Sequence, residues 1–126
     1  MARILIVDDS PFMARCLAVF LEDEGHEVVA VGGDGFEGIF LFRRHRPDLT
    51  LLDITMPNRD GRDCLDDILA EDPHARVMMI SAIRDMAVIL QCLRAGARAY
   101  LPKPLVFSRH ACRDMFRSSL HQALQP

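Results

Sequence analysis

The sequence predicts an α/β fold in which a parallel sheet is covered by helices on both faces. Two observations carry this. Five short apolar runs, most of them rich in β-branched residues or leucine, alternate strictly with five segments of helical periodicity. The runs are continuously apolar and do not alternate with polar residues, as expected of strands buried on both sides. Crossover helices between such strands make the sheet parallel.

The first run is Ile4-Leu5-Ile6-Val7, ending at Asp8-Asp9-Ser10. Ser10-Pro11 then opens a helix, with serine as N-cap and proline in the first turn. Met13, Cys16, Leu17, Phe20 and Leu21 form its buried face, and Gly25 ends it. Val28 to Val31 is the second strand. Asp34 to Arg46 is the second helix, broken by Pro47. Leu49-Thr50-Leu51-Leu52 is the third strand and ends at Asp53. A loop, Met56-Pro57-Asn58-Arg59-Asp60-Gly61, follows it. Cys64, Leu65, Ile68 and Leu69 mark the third helix, with Pro73 beyond its end. Val77 to Ile80 is the fourth strand, ending at Ser81. The fourth helix spans Asp85 to Ala95 and is stopped by Gly96. Ala99-Tyr100-Leu101 is a short fifth strand before Pro102-Lys103-Pro104. The last helix runs from about Ser108 to Leu124.

At 126 residues the chain fits one domain, residues 1–126, and half of it is apolar, which argues against disorder. A net charge of −3 gives no basic footprint for direct nucleic-acid binding. No apolar run approaches a membrane span, and the N-terminus lacks the apolar core and cleavage site of a signal peptide. A cytoplasmic location is expected. Cys16, Cys64, Cys92 and Cys112 are far apart, form no CxxC and fall on helices. They read as small apolar side chains in a reducing compartment.

Polar residues stand at four of the five strand ends: Asp8 and Asp9, Asp53, Ser81, and Lys103, the only lysine beside fourteen arginines. Taken singly, each has a plain explanation as a cap, a turn former or a solvated charge. In an open parallel sheet, however, these C-terminal ends share one edge, where ligands bind. Three carboxylates brought together repel one another, and a divalent cation removes that conflict. An oxygen-only donor set without histidine or cysteine favours Mg²⁺. A carboxylate can itself be the nucleophile, giving an aspartyl phosphate, and phosphoryl transfer needs mainly positioning and charge neutralisation.

At this point the chain resembles the receiver domains of two-component response regulators, of the chemotaxis-regulator kind. The resemblance rests on Ile4-Leu5-Ile6-Val7-Asp8-Asp9-Ser10, Leu51-Leu52-Asp53-Ile54-Thr55-Met56-Pro57, Asp60-Gly61, Ser81-Ala82, Ala95-Gly96-Ala97 and Tyr100-Leu101-Pro102-Lys103-Pro104. It implies a flavodoxin-like (βα)5 fold with strand order 2-1-3-4-5. It implies Asp53 as phospho-acceptor and Mg²⁺ held by Asp9 and Asp53, by Asp8 through water, and by the Thr55 backbone carbonyl. Ser81 and Tyr100 match the switch pair, and Lys103 matches the phosphate-contacting lysine, its bond to Pro104 often being cis. The phosphoryl donor would be a sensor histidine kinase or a phosphotransfer protein. The output would be a face of the fourth helix, fifth strand and fifth helix, carrying Arg94, Arg98, Arg109 and Arg113. That face would meet a downstream protein, or an output domain absent from this chain. The resemblance implies no catalysis beyond self-phosphorylation and dephosphorylation, and a monomer or weak dimer.

Some positions depart from the family pattern. Arg59 and Ile83 stand where an apolar and a polar residue, respectively, are common. Arg98-Ala99 replaces an acidic pair that supports one kind of dimer. Two other readings compete. A phosphatase of the haloacid-dehalogenase type would need a second aspartate where Thr55 stands, and a cap domain. A receiver that no longer takes phosphate would be expected to lack key residues that are present here. Tyr100 can also be simple packing, and the arginine face simply solvated.

Overall fold

A computed structural model describes all residues, Met1–Pro126. Five strands, β1 (Arg3–Val7), β2 (Glu27–Gly32), β3 (Leu49–Leu52), β4 (Val77–Ser81) and β5 (Ala99–Pro102), form one parallel sheet in the order β2-β1-β3-β4-β5. The helices between and after them are α1 (Pro11–Asp23), α2 (Gly35–His45), α3 (Gly61–Glu71), α4 (Met86–Ala95) and α5 (His110–Leu124). The expected flavodoxin-like architecture and strand order are therefore observed.

Alternation along the buried strands builds the two layers. Ile4, Ile6, Leu49, Leu51, Met78 and Ile80 point to one face, where α1 and α5 add Leu17, Phe20, Phe116 and Leu120. Leu5, Val7, Leu52, Val77 and Met79 point to the other, against Ile39 and Phe42 of α2, Leu65 and Ile68 of α3, and Cys92 of α4. Full burial of each such side chain contributes ~1.5–3 kcal/mol, which makes these layers the main source of stability.

Helix starts follow local capping. Ser10, Asp34, Asp60 and Asp85 each accept a backbone N–H from the first turn of α1 to α4. Gly96 closes α4 at φ +123°, a conformation that disfavours side chains. The expected start of α5 at Ser108 is displaced to His110, and its cap residue Arg109 makes no side-chain cap bond. The cause is Phe107, which stacks on Phe20 at 5.1 Å and meets Phe116 edge-on at 5.7 Å. That packing holds the preceding residues in a turn, with Arg109 N–H bonded to the Val106 carbonyl. All four cysteines are free and lie on helices. Burial pushes the Cys64 thiol up to about 12, so it packs as an apolar group.

Candidate functional site

The register of the sheet brings the strand-end residues together. Val7 pairs with Leu52, so Asp8 and Asp53 leave adjacent strands side by side. Ser81 pairs with Pro102, which places Lys103 one residue beyond. Ladder bonds continue past the strand ends and fix these residues: Asp8 N–H to the Gly32 carbonyl, Asp53 N–H to Val7, and Lys103 N–H to Ser81, each 2.9 Å.

Lys103 Nζ donates to Asp8 Oδ2 at 2.9 Å and to Asp53 Oδ2 at 3.2 Å. The other oxygen of each acid accepts a backbone N–H, Asp8 from Ser10 at 2.9 Å and Asp53 from Ile54 at 2.8 Å. Asp8 and Asp53 are buried, whereas Asp9 is exposed at the mouth. One carboxylate oxygen from each of the three lies within 4.8 Å of the others. Burial raises the Asp53 carboxyl above its ordinary range; Lys103 opposes the shift and Asp8 adds to it. Burial works to lower the Lys103 ammonium, but its bonds and charge contacts with Asp8 and Asp53 outweigh this and raise it. One ammonium facing three carboxylates leaves excess negative charge, so the donor set fits a hard divalent cation. The Thr55 carbonyl accepts no backbone hydrogen bond, which leaves its lone pairs free.

The switch-pair positions are close to this pocket. Ser81 is fully buried at the end of β4, and its Oγ accepts the Ile83 N–H at 3.2 Å. Tyr100 is half-buried against the α3/α4 layer, and its hydroxyl donates to the Ile83 carbonyl at 2.6 Å. Burial raises its phenol, with Ser81 opposing. The Lys103-Pro104 bond is cis.

Several contributors carried no assigned role in the sequence. A Cβ on Gly61 would lie 1.9 Å from the Asp53 carbonyl oxygen, so only glycine lets α3 start against the Asp53 loop. Its signal was the Asp60-Gly61 pair closing the loop. Arg84 donates to the Lys103 carbonyl at 2.9 Å and ties the β4–α4 loop to the segment after β5. The unusual Arg59 makes a two-pronged contact with Asp67 at 2.7 and 2.9 Å and lies over the Phe36 ring. Arg98 donates to the Gln125 carbonyl. Of the four arginines expected on the α4–β5–α5 face, Arg113 turns instead toward α1, where it lines a groove with Phe12 and Phe20.

Residues 4–112 match the family described as response regulator receiver domain. The chain belongs to that family. The receiver is 37% identical over 109 residues to the chemotaxis protein CheY of Listeria monocytogenes, covering 86% of this chain and 92% of that one. It is 38% identical over 107 residues to CheY of Bacillus subtilis, covering 85% and 89%. Among solved structures it resembles one described as the CheX-CheY-BeF3-Mg+2 complex from Borrelia burgdorferi, with a TM-score of 0.91 and 33% identity, covering 98% of this chain and 90% of that one. The receiver is thus a component of two-component signalling and not a conventional enzyme. None of its helices is long and apolar enough to cross a membrane.

Proposed function

We propose that this receiver accepts a phosphoryl group on Asp53 from a phosphohistidine of a sensor kinase or phosphotransfer protein. The observation that carries this is the buried Asp8–Lys103–Asp53 bridge beside the exposed Asp9. An Asp53 carboxylate oxygen attacks phosphorus, the P–N bond of the phosphoimidazole breaks, and its electron pair stays on the ring nitrogen. The ring leaves as neutral imidazole, its other nitrogen already protonated. Lys103 stabilises charge on the phosphoryl oxygens, and the Ser81 hydroxyl turns to donate its proton to one of them. Asp8, Asp9, Asp53 and the Thr55 carbonyl would hold Mg²⁺, which supplies positive charge to the carboxylate cluster and the incoming phosphoryl group.

The output follows from the β4–α4 loop. Ile83 is held by Ser81 through its N–H and by Tyr100 through its carbonyl, so movement of the Ser81 hydroxyl is felt by both. Tyr100 already occupies an inward, hydrogen-bonded position. Phosphorylation then acts by biasing populations of a loop that samples this state beforehand. The face reshaped is α4, β5 and α5, where Met86, Leu90 and Leu93 are exposed alongside Arg94 and Arg109. It fits a protein partner with apolar and acidic groups.

Incubation with acetyl phosphate and Mg²⁺ tests the acceptor. One phosphate is added to the wild-type chain and none to Asp53→Asn; full labelling of that variant would refute the assignment. Chemical-shift mapping with beryllofluoride tests the output, and shifts confined to the pocket loops, with none at Tyr100 or α4, would remove it.

A further inference from the structure

The β4–α4 loop runs from the buried Ser81 to Asp85, the cap of α4, and two consecutive residues tie it to the segment around β5. Ile83 serves the switch pair: its N–H donates to Ser81 Oγ at 3.2 Å and its carbonyl accepts from Tyr100 at 2.6 Å. Arg84 reaches further along the chain, and its guanidinium donates to the Lys103 carbonyl at 2.9 Å. Although Asp85 is its neighbour, Arg84 enters none of the ion pairs within the chain. The Lys103 carbonyl accepts no backbone N–H, so Arg84 is its one donor. The Lys103 N–H meanwhile donates to the Ser81 carbonyl at 2.9 Å. Both backbone groups of the lysine that bridges Asp8 and Asp53 are therefore tied to the segment from Ser81 to Arg84.

We infer that Arg84 is a positioning residue that holds the β4–α4 loop, and with it Tyr100, in the inward arrangement before any phosphoryl group arrives. This rests on Ser81 and Tyr100 acting as the switch pair, and adds the residue that sets their resting bias. The bonds from Ser81 to Ile83 and from Ala87 to Asp85 are local and move with the loop. Two side-chain bonds leave it, Tyr100 to Ile83 and Arg84 to Lys103, and both end on β5 or just beyond. With both made, the loop is clamped at adjacent points. With Arg84 released, it can pivot about Ile83, and the Tyr100 hydroxyl loses a fixed acceptor. Arginine suits the task because its guanidinium is long-stemmed and permanently charged, so the clamp holds at any physiological pH. A single exposed hydrogen bond contributes modestly, so it shifts the populations of the loop without locking one state. A larger inward population raises the apparent affinity for a phosphoryl group in proportion.

Tyr100 is the only tyrosine in a chain without tryptophan, so its fluorescence reads this state without background. Titration of the wild type with beryllofluoride in excess Mg²⁺ gives a saturable change in that emission. Arg84→Met, which keeps an extended stem and removes the donor, raises the midpoint about threefold, the worth of one exposed hydrogen bond. Before any ligand is added, its emission already departs from wild type, away from the saturated value. Arg44→Met, exposed on α2, removes the same charge and leaves both readings unchanged. Circular dichroism of the two variants, whose altered side chains are exposed, reports that the fold is kept. An Arg84→Met chain with the wild-type midpoint and wild-type ligand-free emission would overturn the inference. So would a raised midpoint with unchanged ligand-free emission, because the guanidinium would then act only through its charge on the anion. A wild type whose emission ignores beryllofluoride would instead overturn the switch pair itself, and the role of Arg84 with it.

Discussion

At the N-terminal ends of the strands, charged side chains stay near solvent and serve the backbone. At the C-terminal ends Asp8 and Asp53 are buried and share Lys103, with Asp9 exposed beside them. Asp48 is exposed and accepts the Arg3 N–H at 2.8 Å, while the Arg3 guanidinium donates to the Arg46 carbonyl at 3.2 Å. At the same end, His26 Nδ1 accepts the Ala2 N–H at 3.0 Å. Each bond there closes an otherwise open backbone group, so every charge adds modestly to stability. At the other end Asp8 and Asp53 share one ammonium inside the protein, and the Asp53 carboxyl is pushed up by burial. The same sheet thus has one end tuned for stability and one that holds uncompensated charge.

The comparison breaks most severely at Gly61. Gly61→Val drives a branched side chain into the Asp53 carbonyl and costs ~3 kcal/mol or more, read from the urea midpoint. Arg3→Ala at the opposite end costs less than ~1 kcal/mol in the same measurement. Equal losses would mean that the Asp53 loop yields to α3.

Mg²⁺ sharpens it next. If the carboxylate cluster holds the ion as proposed, tenfold excess over its Kd adds about 1.4 kcal/mol to stability by mass action. Thermal unfolding shows this rise in the wild type and not in Asp9→Ala. A full rise in that variant would move the metal away from this end of the sheet.

Neutralising one acid at each end separates the two by sign. Asp53→Asn removes a buried carboxylate and stabilises the unliganded chain by ~1 kcal/mol, whereas Asp48→Asn weakens an exposed bond and destabilises by less than ~1 kcal/mol. The pH dependence agrees. Because the folded Asp53 titrates above its ordinary value, the folded chain holds more protons in that window, and stability falls as pH rises through it. Asp53→Asn flattens that slope.

The smallest effect belongs to His26. Burial lowers its imidazole, the N-terminal ammonium adds to this, and Glu24 opposes it. Between the lowered value and the ordinary 6.5 the unfolded chain holds more protons, so stability is lost as pH falls from 6.5 through the folded value. The loss is under ~1 kcal/mol after solvent screening, and His26→Gln removes it. Urea titrations at neutral and mildly acidic pH resolve this contribution from the opposite slope of Asp53.

The five strands and the residues that end them were legible because burial on both faces demands continuous apolar runs, and because polar residues interrupt such runs only at their ends. The cap Ser10 was legible for a similar reason, since it acts within one helical turn, whereas Asp34 and Asp85, expected as the first residues of their helices, prove to be the caps just before them. What depended on distant partners was not. The displaced start of α5 follows from Phe107 packing on Phe20, 87 residues earlier in the chain. Arg113 faces α1 because periodicity gives a helix its faces but does not say which neighbour covers each one. Arg84 and Gly61 acquire their roles only when separate loops meet at the sheet edge.

The sequence by itself therefore determined the order of elements, the parallel sheet and the identity of the residues at its C-terminal edge. Those follow from hydrophobic periodicity and strand-end polarity, which are local properties. Only the tertiary structure decided that Lys103 bridges Asp8 and Asp53, that Tyr100 bonds the Ile83 carbonyl, and that Arg84 reaches the Lys103 carbonyl. Hydrogen bonds and ion pairs form or fail over a few tenths of an ångström. That precision is set by strand register and helix packing, which join residues up to 95 positions apart.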